Sequence, residues 1–304
     1  MSLRSDAQII ISRAIQAVQP DAAVKRALRG QEFPGRVVLA AAGKAAWQMA
    51  RAAKDCLGER IDAGVVVTKY GHAPGEIPGC ACYEGGHPVP DGNSFRGTQA
   101  ALDLVSGLAE EDAVVFLLSG GGSALFEKPL IPGEELQDVT NQLLSSGADI
   151  VEMNTIRKRL SAVKGGRFAQ LCAPAQVFSI VLSDVLGDPL DMIASGPACA
   201  DRSTCAQAQE IAEKYGLRLT PQARALLAQE TPKVLDNVET QITGSVRELC
   251  AAAAGAAREL GLSIHQVLAD NDAYHALAQA DGLIFTGPTG TNVNDVAVVL
   301  IDVE

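Results

Sequence analysis

The chain has 304 residues, 47% hydrophobic and 20% charged, with a formal net charge of −11. That length fits one large or two ordinary domains with a sizeable core. The acidic balance argues against non-specific nucleic-acid binding or an anionic membrane surface, and no stretch approaches the ~20 apolar residues of a membrane span.

In chain order, Ile9-Ile10-Ile11 is too short for a signal-peptide core. Ile11, Ala14, Ile15 and Val18 recur at helical spacing, and Pro20-Asp21 restarts a second helix. Residues 36–41 read as the first strand. It ends at Gly43-Lys44, and Ala46, Met49, Ala53 and Leu57 mark the helix that follows. This junction puts an ammonium at the carboxyl end of a strand, where open α/β sheets bind ligands. Taken alone, Lys44 fits a solvated helix-start lysine better, and the full Walker pattern is absent. Residues 64–68 form a second strand that delivers Lys69-Tyr70-Gly71-His72. Residues 80–84 read as a short third strand, followed by the turn-rich Gly85-Gly86-His87-Pro88-Val89-Pro90-Asp91. Asp91 or Asn93 caps a helix that turns Phe95, Leu102, Val105 and Leu108 inward.

Six apolar residues, 113–118, read as a strand buried on both faces. They run into Ser119-Gly120-Gly121-Gly122-Ser123. Three glycines let several N–H groups point into one small space. A helix beginning near Gly122 or Ser123 would add its unpaired N–H groups and positive end. Together these make an anion cradle for phosphate or carboxylate; a bare Gly-rich turn is the alternative.

Pro132-Gly133 opens a helical region. Met153, Ile156, Leu160 and Val163 mark a helix whose other side carries Arg157, Lys158, Arg159 and Lys164, stopped by Gly165-Gly166. These four cations are either a solvated face or a basic site. Residues 176–182 form another strand, which releases Ser183-Asp184, with Asp188 and Asp191 close by. A carboxylate just past a buried strand is placed to hold Mg²⁺ or take a proton, and an Asx-turn or helix cap is the alternative for Asp184. Helices follow over 203–215 and 221–227. Residues 234–242 read as a linker or short strand, 245–260 as an Ala-rich helix and 262–267 as a strand. Residues 273–280 are a helix, 283–286 a strand opening into a Gly/Thr/Asn-rich loop, and 296–301 the closing strand.

The alternation predicts an α/β fold: a Rossmann-like, doubly wound parallel sheet over 36–182 with helices on both faces. Residues 1–236 are then a first domain and 237–304 a second, smaller α/β domain. Seven scattered cysteines without framework spacing predict reduced thiols in a cytoplasmic protein. Cys80-Ala81-Cys82 lacks the second pair that structural zinc requires.

Several stretches together carry a family resemblance: AAGKAAWQMA, GGHPVPDGNS, LLSGGGSALFEKP, MNTIRKRLSAVKGGRFAQ, VLSDVLGDPLDMIASGPACAD and FTGPTGTNVNDVAVVLI. In them the chain resembles the type-2 glycerate kinases, whose C-terminal part is the MOFRL domain and whose members are often labelled hydroxypyruvate reductases. The resemblance implies phosphorylation of D-glycerate to 2-phosphoglycerate with ATP and Mg²⁺, in a cleft between a Rossmann-like domain and a second α/β domain. It carries the motif lysine onto Lys44 and the glycine loop onto Ser119, Gly120, Gly121, Gly122 and Ser123. The strand-end carboxylate falls on Asp184, with Asp188 beside it as a second metal ligand. Gly43, Lys69, His87, Arg157, Lys164, Thr289, Asn292 and Asp295 complete the expected phosphate, nucleotide or substrate contacts. The implied partner is a small-molecule substrate, glycerate; neither nucleic acid nor membrane is expected, and homo-oligomerisation is left open.

The chain departs from the family in its second domain. A GGRNQE-like stretch with an active-site arginine and a GTDG-DGPT-like stretch are not found, and residues 262–267 pass directly to Asp270-Asn271-Asp272. The second domain therefore reads as lacking an internal part. Two other readings stay open. Reductase chemistry needs a dinucleotide site, and the G-x-G-x-x-G template started at Gly120 fails at Leu125. A non-catalytic nucleotide- or small-anion-binding paralogue would keep the first domain's site alone.

Overall fold

Apolar runs of six or seven residues, separated by amphipathic segments, must pair side by side and be covered on both faces. A computed structural model describes residues 3–183 and 189–260. Its strands are β1 (Val37–Ala42), β2 (Ile61–Lys69), β3 (Cys80–Gly85), β4 (Ala113–Leu118), β5 (Gln176–Leu182) and β6 (Val238–Thr243). They form one sheet in the order β3-β2-β1-β4-β5-β6, and every neighbouring pair is parallel. The strand order reverses between β1 and β4, which makes the carboxyl edge there the switch point of a doubly wound sheet.

The helices are α1 (Leu3–Ala17), α2 (Pro20–Leu28), α3 (Ala46–Leu57), α4 (Gly92–Val105), α5 (Gly122–Leu125) and α6 (Gly133–Ser145), then α7 (Ile150–Arg159), α8 (Arg167–Cys172), α9 (Cys205–Lys214), α10 (Pro221–Leu227) and α11 (Val246–Glu259). Every residue of β1 and β4 is buried. Alternation along β1 sends Val37, Leu39 and Ala41 to one face, with Val24 of α2 and Met49, Ala50 and Ala53 of α3. Val38, Ala40 and Ala42 go to the other face, with Leu102 and Val105 of α4 and Phe168 of α8. Each large aliphatic side chain buried this way contributes about 1.5–3 kcal/mol. Asp91 caps α4 as the sequence predicts: its Oδ1 accepts the N–H groups of Asn93 and Ser94, both at 3.0 Å.

The parallel sheet with helices on both faces is borne out, and it runs further than residues 36–182. The stretch read as a linker or short strand supplies β6, paired with β5 from Val177↔Val238 to Leu182↔Thr243. The helix expected to reach Val163 ends at Arg159. Residues 160–162 are drawn instead into contact with 128–130, where Leu130 N–H donates to Leu160 O at 2.9 Å and Ala162 N–H to Lys128 O at 2.8 Å. A separate apolar cluster joins α6, α7, α9 and α10 through Leu136, Leu143, Ile156, Ala208, Ala223 and Leu227. It forms a helical layer beside the sheet that the strand-helix alternation alone does not foresee.

Candidate functional site

The register Ala42↔Leu118 sets the ends of β1 and β4 side by side. The chain leaving β1 therefore lies against the glycine loop leaving β4. Lys44 N–H donates to Gly120 O at 2.8 Å, and Ala45 N–H to Ser119 Oγ at 3.1 Å. Gly43 has φ +121°, and a Cβ there would stand 2.2 Å from Ser119 Oγ, so only glycine allows the two segments to meet. Thr68, fully buried at the end of β2, donates its hydroxyl to Gly43 O at 3.0 Å. Helix α3 starts at the same edge and turns its positive end toward it.

The loop itself folds as a tight turn at Gly121, φ +87°. Ala124 and Leu125 N–H both donate to Gly121 O at 3.2 Å, and Gly122 N–H to Ser119 O at 3.3 Å. The N–H groups of Gly120, Gly121 and Ser123 have no acceptor among the described residues. Helix α5 has only four residues, so the helix end expected at Gly122 or Ser123 adds little dipole. The donors come from the turn. Beneath it the rings of Phe116, Phe126 and Phe168 pack with centroids 4.7–5.5 Å apart.

Cations gather round these donors. Lys44 Cγ and the His87 ring lie 3.1 and 3.0 Å from where a Gly121 Cβ would be. Neither the Lys44 nor the Lys69 ammonium has a hydrogen-bond or carboxylate partner among the described residues. His72 joins them, its Nδ1 3.0 Å from Lys44 O. Burial, then the charges of Lys44, Lys69 and His72, hold the His87 imidazolium below its ordinary pKa.

Arg157 and Lys164 reach the same loop from behind. Both bond to Ser123 O, Arg157 Nη2 at 3.1 Å and Lys164 Nζ at 3.0 Å. Lys164 is fully buried, and its remaining contacts are Phe126 O and Glu127 Oε2, each at 3.0 Å. Lys158 and Arg159 point elsewhere. Lys158 bonds to Asp201 Oδ1 at 3.0 Å, and Arg159 to Ser203 O at 3.0 Å and Glu230 Oε2 at 3.3 Å. Lys158, Arg159 and Lys164 are all buried, so none of them is on a solvated face.

The structure thus brings together Gly43, Lys44, Lys69, His87 and Ser119-Gly120-Gly121-Gly122-Ser123 at one edge, with Arg157 and Lys164 under the loop. Asp184, Asp188, Thr289, Asn292 and Asp295 lie outside the described residues, as does the junction near 262–272. Among the described residues no group of three His, Cys, Asp or Glu side chains is placed to hold a metal. His72 and Glu127 lie in stretches the sequence singles out, after the second strand and at the end of LLSGGGSALFEKP, but neither is expected as a site residue; the tertiary contacts place them here.

A six-stranded parallel sheet, doubly wound, with open N–H donors and two ammoniums without a partner among the described residues at its switch point, defines the class as an α/β protein with a polar, cationic edge. The chain belongs to the family described as domain of unknown function DUF4147, whose model matches residues 6–228, and a MOFRL family segment matches residues 239–295. The resemblance read from its motifs is borne out. It is 52% identical over 264 residues to D-glycerate 2-kinase of Thermotoga maritima, a match covering 86% of this chain and 63% of that protein. It is 37% identical over 288 residues to glycerate 2-kinase of Pyrococcus horikoshii, covering 87% and 64%. A crystal structure of glycerate kinase from Thermotoga maritima superposes with a TM-score of 0.83 at 52% identity, over 86% of this chain and 63% of that one. The chain spans less than two thirds of the length of these relatives.

Proposed function

We propose that this chain takes part in the ATP-dependent phosphorylation of D-glycerate to 2-phosphoglycerate. The observation that carries the reading is the edge between β1 and β4: three open N–H groups beside two ammoniums without partners among the described residues. Phosphoryl transfer needs positioning and charge neutralisation more than covalent chemistry, and these are the groups for it. The glycerate hydroxyl oxygen attacks the γ-phosphorus, the bond to the β-phosphate oxygen breaks, ADP leaves and the hydroxyl proton is released. In this reading the N–H groups of Gly120, Gly121 and Ser123 hold phosphate oxygens, and Lys44 and Lys69 neutralise the charge that builds on them.

Mg²⁺ belongs to the same reading, with Asp184 and Asp188 as its ligands. Both lie outside the described residues, among which no group of three His, Cys, Asp or Glu side chains is placed to hold a metal. The division into residues 1–236 and 237–304 is part of the proposal as well. β6 and α11, which open the second part, rest on the first as the sixth strand and as the partner of α1. We place the protein in the cytoplasm: all seven cysteines are free, and burial raises Cys80 to about 11 and Cys172 to about 12, which keeps them as inert thiols.

The test is turnover by this 304-residue chain. ATP consumption that depends on D-glycerate and yields 2-phosphoglycerate supports the kinase reading. NAD(P)H oxidation with hydroxypyruvate would replace it with the reductase, and nucleotide binding without turnover would leave a binding protein.

A further inference from the structure

We propose that Glu127, Lys164 and Arg157 form a brace that aims the open N–H groups of the glycine loop, acting through the Ser123 carbonyl and not by touching the anion. The inference rests on the reading of this loop as an anion site.

The Lys164 ammonium donates to Ser123 O and Phe126 O, each at 3.0 Å, and is ion-paired with Glu127 Oε2 at 3.0 Å. It is fully buried behind the loop, facing these groups. One ammonium therefore ties both ends of the Ser123–Phe126 turn, and Arg157 Nη2 adds a second contact to Ser123 O at 3.1 Å. With that turn fixed, Ala124 and Leu125 N–H hold Gly121 O, and Gly121 is one of the residues whose own N–H is open. The brace thus sets where the donors point.

Glu127 is the unexpected member. It is fully buried, and neither carboxylate oxygen has a well-formed hydrogen bond among the described residues. Its companions are charges: Lys164 as an ion pair, and Arg157, whose guanidinium it helps keep protonated against burial. A buried ion pair lacking further hydrogen bonds is a poor source of stability, and apolar residues of similar volume commonly do as well or better. What the pair supplies here is a fixed position for two carbonyls. Because Glu127 and Lys164 cancel, replacing both leaves the net charge behind the loop unchanged.

The experiment compares the wild-type chain with the double variant Glu127→Leu/Lys164→Met. Inorganic pyrophosphate and ATP affinities are measured by calorimetry, the fold by melting temperature, and loop order by amide hydrogen exchange. The expected result is about tenfold weaker binding of both anions, faster exchange over residues 120–126 and unchanged exchange in β1 and β4, since small displacements of binding groups have large effects. Equal affinity in a folded double variant overturns the brace and leaves the anion site standing. If the double variant does not fold, Arg157→Lys serves, because it keeps the charge but loses the guanidinium contact. A severalfold weaker pyrophosphate affinity with faster exchange at 120–126 supports the brace, and no change in either overturns it. Wild-type protein that binds neither anion overturns the anion site and the brace together.

Discussion

Cations at the strand ends beside the glycine loop and cations on and just after α7 share the same side-chain chemistry and meet opposite fates. In the first group, Lys44 and Lys69 end strands or open a helix, and their ammoniums have no partner among the described residues. On and after α7, Lys158, Arg159 and Lys164 are at most 2% exposed, and each is consumed by acceptors from distant segments. Asp201 shows how complete that consumption is. Burial would raise its carboxyl, yet hydrogen bonds from Thr231 and Lys158 outweigh this and hold it below its ordinary value. The lesson is that a cation's role follows from its available acceptors. The first group keeps charge for a ligand; the second spends it on the fold.

The sharpest way to break this contrast is to remove one member of each group. Lys44→Ala should cost on the order of a thousandfold in glycerate-dependent turnover, ~4 kcal/mol of transition-state stabilisation, with the melting temperature nearly unchanged. Steady-state kinetics on the purified variant check it, and wild-type rates would place Lys44 among solvated lysines. Arg159→Met should do the reverse. It leaves Glu230 and Ser203 without their shared donor and removes the second cation beside Asp201, and should cost about 3 kcal/mol of stability, roughly 5 °C in melting temperature for a chain of this length. An Arg159→Met protein that melts like wild type but loses anion affinity would move Arg159 to the first group.

Gly121→Ala probes the loop beside the first group. A left-handed residue with a Cβ costs about 1–2 kcal/mol, and this Cβ would also press on the His87 ring 3.0 Å away. Pyrophosphate affinity should fall while the sheet stays intact by circular dichroism.

The smallest effect concerns pH. His87 titrates lower in the folded chain than in the unfolded one. Between its folded pKa and about 6.5 the unfolded chain binds more protons, so stability falls as pH drops through that window. His87→Gln should flatten this part of the stability profile. Lys69→Met should shift the His87 titration upward, read from its ring resonances by NMR, because one of the repelling charges is gone. An unshifted titration would mean that Lys69 does not face the ring.

Much of this protein is legible in its sequence. The buried runs that became β1, β4 and β5, the Asp91 cap and the Gly43-Lys44 and Ser119–Ser123 junctions follow from local pattern, since strand burial, capping and turn formation depend on residues a few positions apart. The doubly wound order follows from strand–helix alternation and the rules for parallel connections. Tertiary structure alone decided the rest. Arg157, Lys158, Arg159 and Lys164 looked like one basic stretch, but their acceptors come from Ser123, Glu127, Asp201, Ser203 and Glu230, about 30–70 positions away in the chain. Burial and charge pairing are set by what packs opposite, which periodicity does not record. The same holds for β6, which joins the sheet through β5, and for the gathering of His72 and His87 beside Lys44, which comes from three separate strand ends meeting at one edge.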